Sequence, residues 1–269
     1  LGDVYKRQTL YVVNDAPGHY SLEVFDVSSG NVHHVKSMVE WMNGDKKETF
    51  AGEPNGVTRS YGKIYVTNTG SRTDVFDAET YEFITCIGTG TWGEGGYQTV
   101  HAFDVTASQG AVFIRDKRKL VVVLEQDVQP GSAARVPIYS RSVNLQEAMG
   151  TYAVAARNDG FLYVTGQNKN MIYLFDPADI RAGDTGFAPD LVTLGFEKSP
   201  QAIAFVGDRL FVTLRVDDKR SELWEISPKN GKLLQDFTDS MVYPEKIAGA
   251  RHTLLVVDRA TQTVKAIGL

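Results

Sequence analysis

Eight side chains of this sequence carry groups that are suited to binding a ligand. They supply carboxylate and amide oxygens, an imidazole and aromatic rings, and they are Glu53, Asn55, Trp92, Tyr97, His101, Tyr152, Gln201 and Glu245. Oxygens of this type bind Ca²⁺ when several converge at about 2.3–2.6 Å, while aromatic rings stack on organic ligands. Because no recognisable catalytic or metal-binding motif connects these residues, we predict a ligand-binding surface with no catalytic residue, no metal site and no cofactor.

The segment from Trp92 to Tyr97 is the strongest recognition candidate of this set. Its two aromatic residues flank flexible glycines, so their rings can adapt to a bound ligand. The alternative is that Trp92 fills a gap between neighbouring sheets. Both interpretations stay open at the level of the sequence.

Three other groups of residues have a structural explanation that we favour. His33 and His34 are adjacent on a strand and point to opposite faces, which prevents joint metal binding. Arg115 and the basic residues 117–119 form a basic hairpin tip, for which we favour a solvated turn over the alternative of an anion-binding site. The single cysteine, Cys86, excludes an internal disulfide and a Cys-based zinc site, and we predict that it is a buried strand residue.

An apolar strand core recurs six times along the chain and positions these residues. The cores are Leu10–Asn14, Ile64–Asn68, Val112–Asp116, Leu162–Thr165, Leu210–Thr213 and Leu254–Asp258, and successive copies are 44 to 54 residues apart. A period in that range, with strands in every unit, is typical of a propeller. We therefore predict an all-β fold, a β-propeller built from four-stranded blades.

Each repeat is predicted to contain four strands, a to d, of which the apolar core is strand b. Strand a follows a proline in three copies, at Pro54, Pro200 and Pro244, because a proline at the start of a strand costs no ladder hydrogen bond. Strand b is apolar at successive positions, as expected when both of its faces are covered. Residues interpreted as turn caps end strand b at Asn14, Asn68, Asp116 and Asp258.

Two segments interrupt the repeat. Residues 32–52 are predicted to form a short helix or a decorated loop, because a helical spacing relates Val35, Met38, Val39 and Met42. Residues 126–149 are predicted to form a loop with an edge strand at Val136–Tyr139.

The bulk properties of the 269-residue chain fit one soluble domain over residues 9–269. Residues 1–8 resemble translated adapter sequence, and we exclude them from the fold. The first repeat lacks strand a and the last lacks strand d, which predicts six blades with an incomplete amino-terminal seam; seven or eight blades is the alternative. The net charge of -5 argues against a general nucleic-acid surface, and no stretch approaches the ~20 apolar residues of a membrane helix.

The repeat resembles the YVTN family of β-propeller repeats at Tyr65–Asn68 with Val75–Asp77, and again at Tyr163–Thr165 with Leu174–Asp176. Residues 54–88 also resemble the related NHL repeat. The resemblance implies an extracytoplasmic protein, in the periplasm or on a bacterial cell surface, for which an upstream lipid anchor is one means of attachment. It implies no catalytic residue, because the family shares none.

The connections of an antiparallel meander indicate where a ligand would bind. The b–c turns and the d–a connections lie at the same end of each sheet, and all eight candidate residues belong to the d–a connections or follow them. The b–c turns add residues 14–20, 68–69, 115–119, 167–170, 215–220 and 258–259. We expect these loops to form a concave binding surface.

The sequence thus predicts a non-catalytic binding or scaffolding propeller for an unknown protein or small-molecule partner. The alternative is a six-bladed Ca²⁺-dependent hydrolase or lactonase, whose ligands would be the four oxygen-bearing candidates Glu53, Asn55, Gln201 and Glu245. A quinone-cofactor dehydrogenase is disfavoured because no residue cluster would fix the cofactor.

Overall fold

The computed structural model describes residues 9–28, 31–88, 101–116, 120–130, 153–166, 170–176, 194–250 and 252–269. Within these ranges the regular elements are β strands and two short 3-10 turns. No helix found there is long and apolar enough to cross a membrane. The predicted strand at Val136–Tyr139 and the first eight residues lie outside the described ranges.

The described residues form 23 strands. In chain order these are β1 (Thr9–Asn14), β2 (Ser21–Asp26), β3 (His33–Met38), β4 (Glu40–Asn43), β5 (Lys46–Thr49), β6 (Pro54–Ser60), β7 (Lys63–Asn68), β8 (Arg72–Asp77), β9 (Phe83–Ile87), β10 (Ala102–Ser108), β11 (Ala111–Asp116), β12 (Leu120–Leu124), β13 (Val154–Ala156), β14 (Leu162–Gly166), β15 (Met171–Phe175), β16 (Leu194–Gly195), β17 (Ser199–Val206), β18 (Arg209–Arg215), β19 (Ser221–Ile226), β20 (Leu233–Asp236), β21 (Pro244–Ala250), β22 (Thr253–Asp258) and β23 (Thr263–Gly268).

Each sheet is a meander of strands that follow one another in sequence. The sheets are β1–β3, β6–β9, β10–β12, β13–β16, β17–β20 and β21–β23, and β4 pairs with β5 as a separate hairpin. The predicted apolar cores are β1, β7, β11, β14, β18 and β22. The predicted order of strands a to d is therefore confirmed, while the number of blades stays a prediction.

Strand b is covered on both faces in most of the sheets. The side chains of Tyr65 in β7, Tyr163 in β14 and Phe211 in β18 are fully buried, and so are their strand neighbours Val66 and Val212. Successive residues of a strand point to opposite faces, so burial of both confirms the expectation from the continuous apolar pattern.

The backbone contacts divide the chain into two compact units, the first formed by residues 1–105 and 123–138 and the second by residues 106–122 and 139–269. The core of the first unit is built around Leu22, Val24, Ile64, Val66 and Phe76. The second unit has one core around Tyr163, Ile203, Val212 and Ile226 and another around Phe211, Leu223, Leu254 and Val256.

The helix predicted within residues 32–52 is wrong. Strand β3 and the β4–β5 hairpin occupy this segment, and Gly44 turns the hairpin with a φ of 60°. The apolar residues do not share a helical face, because Met38 is buried while Val35, Val39 and Met42 are exposed. Trp41 anchors the hairpin instead, with its ring centroid 5.0 Å from that of Phe76. The alternative of a decorated loop is closer to the structure.

A buried ion pair holds this hairpin to the sheet of β6–β9. Arg72 Nη1 contacts Glu48 Oε2 of β5 at 3.0 Å, and Arg72 Nε contacts Asp74 Oδ1 at 2.7 Å. Asn68 Nδ2 donates to the second oxygen of Asp74 at 2.9 Å. Desolvation raises the pKa of the fully buried Asp74 to about 7, with Arg72 and Asn68 opposing the rise and Glu48 adding to it.

The interpretation of Arg115 as part of a solvated hairpin tip is wrong. Its side chain is fully buried, because it occupies the strand b position that is threonine in β7, β14 and β18. Burial lowers the pKa of its guanidinium to about 9, and the Asp116 carboxylate opposes that shift. Residues 117–119 lie outside the described ranges.

Candidate functional site

The three strands with a proline at their first or second position each contain a β-bulge directly after it. In β6, Pro54 pairs with Asn68 and Gly56 with Thr67, so Asn55 is an extra residue in the ladder. In β21, Pro244 pairs with Asp258 and Lys246 with Val257, so Glu245 is the extra residue. In β17 the register shifts between Pro200 and Ile203, next to Gln201. A bulge turns a side chain away from the regular alternation of the strand, and it does so here at three of the predicted ligand-binding residues.

In β6 and β17 a threonine of strand b compensates for the bulge, whereas Val257 holds this position opposite the bulge of β21. The backbone N–H of Gly56 donates to Thr67 Oγ1 at 2.9 Å, and that of Ala202 donates to Thr213 Oγ1 at 2.9 Å. Ala153 donates in the same way to Thr165 Oγ1 at 3.1 Å. In β6 and β17 the threonine hydroxyls accept hydrogen bonds from buried N–H groups that the irregular ladder would otherwise leave unpaired.

The b–c turns and the d–a connections lie at the same end of the sheets, as predicted. In the first unit, Thr69 N donates to Glu53 O at 2.9 Å. In the second unit, Arg259 N donates to Tyr243 O at 2.9 Å. Both hydrogen bonds join the turn after strand b to the segment that leads into strand a of the same sheet.

In the first unit this arrangement brings together three of the predicted site residues. Glu53 N donates to Thr69 Oγ1 at 3.0 Å, and Asn55 Nδ2 donates to Glu53 O at 3.0 Å. His101 Nδ1 lies 3.1 Å from Thr69 O, and its ring stacks on that of Phe103. The bonds of Glu53 shown here involve its backbone, so they hold the loop in shape and leave its exposed carboxylate at the surface.

The second unit contains a cavity at the corresponding end of the sheets β17–β20 and β21–β23. Its volume is about 390 Å³, which is within the range of small-molecule sites. The lining side chains are Gln201, Arg215, Asp218, Tyr243, Glu245, Lys246 and Arg259. We call this cavity the β17–β21 pocket.

Bulges explain how one strand contributes two neighbouring residues to the β17–β21 pocket. Glu245 and Lys246 are consecutive, and in a regular strand their side chains would point to opposite faces. The register shift between Pro244 and Lys246 breaks this alternation. Gln201 enters the pocket from the bulge of β17.

Ion pairs organise the charged groups of the pocket. Arg259 Nη1 contacts Glu245 Oε1 at 3.1 Å, and the Arg215 guanidinium pairs with the Asp218 carboxylate. Lys246 makes no ion pair with any residue in the described part of the chain. The Arg259 guanidinium lies 5.8 Å from the centre of the buried Tyr243 ring, which gives the pocket an aromatic wall.

Asp258 fixes the loop that carries Tyr243. Its two carboxylate oxygens accept hydrogen bonds from the N–H groups of Val242 at 3.1 Å and Tyr243 at 3.0 Å, and Lys265 Nζ lies 3.0 Å away. Burial raises the pKa of Asp258, but these donors outweigh it and lower the pKa to about 2. Asp258 was predicted as a turn cap, but it is a buried residue that anchors the segment leading into strand a. Asn14 caps its turn by accepting from Ala16 N at 3.1 Å.

The structure unites only part of the predicted site. It brings Gln201 and Glu245 into the β17–β21 pocket, and it places Glu53, Asn55 and His101 together in the other unit. Trp92, Tyr97 and Tyr152 lie outside the described residues. Lys246 was missed, and the strand-initial proline before it is the signal that could have indicated a bulge.

A second polar cluster lies on β2 and β3. His34 Nε2 is 2.8 Å from Glu23 Oε2 and 3.1 Å from Ser37 Oγ, and Ser37 Oγ also donates to Glu23 Oε2 at 2.6 Å. In a catalytic triad the acid and the serine would contact different nitrogens of the imidazole. Here both contact Nε2, so the cluster stabilises a surface strand pair.

Solved structures similar to this chain share one architecture. The β-propeller domain of Swd1 from Myceliophteria thermophila superimposes with a TM-score of 0.58 at 10% identity, over 98% of this chain and 97% of that one. A protein assigned as a 6-phosphogluconolactonase from Bacteroides fragilis gives 0.59 at 15% identity, over 100% of this chain and 78% of that one. The fold is a β-propeller.

Another similar structure comes from a nidogen/laminin complex, with a TM-score of 0.58 at 13% identity over 97% of this chain and 89% of that one. No protein-family model matches the chain, and no curated protein is similar to it in sequence. The described residues of the propeller contain no group of three or more His, Cys, Asp or Glu side chains arranged to hold a metal ion.

Proposed function

We propose that this protein is a non-catalytic propeller that binds a ligand in the β17–β21 pocket. The observation that carries this proposal is the convergence of seven polar or aromatic side chains around a cavity of about 390 Å³. Concave sites with a few converging polar groups are where proteins bind small molecules. Two of the seven, Gln201 and Glu245, were predicted as ligand-binding residues from the sequence.

The charges in the pocket favour binding over catalysis. A hydrolytic site that works through a nucleophilic side chain has that nucleophile in contact with a base, and a third group that orients the base. The two carboxylates of the pocket, Asp218 and Glu245, each pair with an arginine instead. Such pairs place charged groups around the cavity, which suits the recognition of a polar ligand.

The sequence resemblance supports a proposal for the cellular location of the protein. YVTN and NHL repeats resemble this chain at Tyr65–Asn68 and Tyr163–Thr165, and that resemblance supports a periplasmic or cell-surface protein. A protein partner at the same loops is compatible with this assignment, since similar propellers include a chain of the nidogen/laminin complex.

A Ca²⁺-dependent lactonase is the second candidate. One similar propeller is assigned as a 6-phosphogluconolactonase, and Gln201 and Glu245 bring an amide and a carboxylate oxygen to the same pocket. Such oxygens are Ca²⁺ ligands. Lactone hydrolysis that requires Ca²⁺ and disappears in Glu245→Ala would establish this function in place of simple binding.

The proposed function is tested by a thermal-shift screen of the full chain against sugars, organic acids, amino acids and nucleosides. A bound ligand raises Tm because it stabilises only the folded state. Gln201→Trp fills the pocket and should abolish the shift, whereas Gln235→Trp on the exposed strand β20 should leave it unchanged. A ligand whose shift survives Gln201→Trp in a folded variant, as judged by circular dichroism, binds elsewhere and contradicts the assignment.

A further inference from the structure

The β17–β21 pocket carries a net positive charge. Arg215, Lys246 and Arg259 contribute three positive charges to its lining, and Asp218 and Glu245 contribute two negative charges, which leaves one positive charge in excess. This excess contrasts with the chain as a whole, whose net charge is -5. The positive charge of the pocket is therefore a local property of these side chains.

The excess charge is carried by Lys246. Both arginines have a carboxylate partner, Glu245 for Arg259 and Asp218 for Arg215. Within the described ranges Lys246 has no such partner, and its side chain is half-buried in the pocket wall. A half-buried ammonium group loses part of its hydration. An anion that enters the pocket would pair with this charge and offset the lost hydration.

The remaining groups indicate what else the ligand must carry. The amide of Gln201 both donates and accepts hydrogen bonds, which suits a hydroxyl group. The guanidinium groups can form paired hydrogen bonds with a carboxylate or a phosphate. The Tyr243 ring offers an apolar surface against which a carbon skeleton can pack.

We propose that the pocket binds a small hydroxylated organic anion, with its carboxylate or phosphate group at Lys246 and its hydroxyl groups at Gln201. This inference rests on the proposed function and names the ligand class of the same site. Glu245 acts in it as an internal competitor, because its carboxylate contacts the Arg259 guanidinium at 3.1 Å. An anion that binds next to Lys246 would compete with Glu245 for this guanidinium.

This competition makes the two neighbouring residues act in opposite directions. Lys246→Met removes the excess positive charge, so we expect affinity for an anion to fall roughly tenfold or more. Glu245→Gln removes the competing carboxylate, so we expect affinity to rise by roughly threefold to tenfold. If Lys246 and Glu245 only maintained the shape of the pocket, both substitutions would weaken binding.

The experiment is isothermal titration calorimetry of the full chain with three probes of similar size. Gluconate carries a carboxylate, glucose 6-phosphate carries a phosphate, and glucose is the neutral control. We expect both anions to bind at least roughly tenfold more tightly than glucose, with affinity that falls as salt is added. The stronger of the two anions distinguishes a carboxylate ligand from a phosphate ligand.

Lys229→Met is the matched control, because Lys229 is exposed in the turn between β19 and β20 and does not line the pocket. It should leave the affinity for both anions unchanged. Equal affinity for glucose and the anions, a weakening by Glu245→Gln, or no binding of either anion would overturn the proposed ligand class. If the thermal-shift screen still finds a neutral ligand that Gln201→Trp excludes, the proposed function stands while this inference fails.

Discussion

The hydroxyl of Thr213 accepts a hydrogen bond of 2.9 Å from the backbone N–H of Ala202, and this bond closes the β-bulge beside Gln201. Thr67 makes the same bond with Gly56, and also donates to the carbonyl of Gly56 at 3.3 Å. The threonine at this position of strand b, which follows Tyr-Val in β7 and Phe-Val in β18, thus has a specific task. Its hydroxyl accepts a hydrogen bond from the backbone N–H group of strand a that the bulge would otherwise leave unpaired.

Replacing this hydroxyl with a methyl group should destabilise the propeller without changing its shape. Thr213→Val leaves a buried N–H without an acceptor, so we expect the free energy of unfolding to fall by about 1–3 kcal/mol. Urea denaturation monitored by circular dichroism measures the change. Thr263→Val on the exposed strand β23 is the control and should change stability by less than about 0.5 kcal/mol. Thr213→Ser keeps the hydroxyl and should retain most of the stability that Thr213→Val loses. Equal stability of Thr213→Val and wild type would show that the bond contributes little.

Close packing of β21 on β17 predicts a strong effect at Gly249. A Cβ atom at this position would lie 1.7 Å from the carbonyl oxygen of Phe205, which is backbone and cannot rotate away. We expect Gly249→Ala to lower the free energy of unfolding by about 3 kcal/mol through forced separation of the two strands. Thermal and urea unfolding provide the measurement.

Gly268 is the matched control for this substitution. It also lies in a strand of the second unit, but a Cβ there would have no heavy atom within 4 Å. Gly268→Ala should leave stability unchanged within about 0.5 kcal/mol. If both variants unfold at the same urea concentration, the tight approach of β17 and β21 is not present in solution.

Asp74 makes stability depend on pH in the direction opposite to most carboxylates. Its pKa rises from a usual value near 3.8 to about 7 in the folded protein, mainly because burial removes it from water. In the unfolded state the Asp74 carboxyl therefore loses its proton at a lower pH than in the folded state. Its contribution to stability is complete below pH ~4 and is lost as the pH rises to about 7. Asp74→Asn should remove this part of the pH dependence.

The measurement for Asp74 is the urea midpoint of both proteins at pH 5 and pH 8. The difference between wild type and Asp74→Asn should move in favour of the variant at the higher pH. Asp77→Asn is the control, because hydrogen bonds from the N–H groups of Thr80 and Glu79 lower the pKa of that carboxyl. A pH-independent difference for Asp74→Asn would show that Arg72 keeps Asp74 ionised throughout this range.

Asp258 makes stability depend on pH in the direction that is usual for a carboxylate. Its pKa is about 2, because the N–H of Tyr243, Lys265 and the N–H of Val242 stabilise its charge against the cost of burial. Its contribution is present above pH ~4 and is lost as the pH falls towards 2. Asp258→Asn should lower the free energy of unfolding at pH 7 by about 1–3 kcal/mol, and the gap to wild type should narrow at pH 2.5. A gap that is equally wide at both pH values contradicts this role.

The sequence was sufficient for the repeat, but less so for its irregular parts. The apolar cores predicted strand b because burial on both faces leaves a continuous hydrophobic run, as at Ile64–Val66. Residues 32–52 were predicted to form a short helix or a decorated loop because Val35, Met38, Val39 and Met42 fit a period of 3.6, although these residues belong to β3, β4 and the link between them. The Asn43-Gly44 pair, a strong hairpin signal, pointed to the correct structure.

The candidate site was predictable only where loops carried it. Gln201 and Glu245 follow prolines at the start of strand a, and their position in a d–a connection indicated a binding surface. Lys246 was missed because a regular strand would direct it away from Glu245, and only the proline at Pro244 signalled the bulge that breaks this alternation. Arg115 was misjudged for a related reason, since its position in the repeat outweighs the exposure that a basic residue usually has.

The bulges after the strand-initial prolines have a consequence for how such a protein can change. Asn55, Gln201 and Glu245 occupy equivalent places in three blades, yet they differ in charge and hydrogen-bonding chemistry. Each is an inserted residue, so its side chain can be exchanged while the pairing of the strands on either side is kept. A propeller built in this way can acquire a new specificity one blade at a time, because the residues that determine folding and those that determine binding can evolve separately.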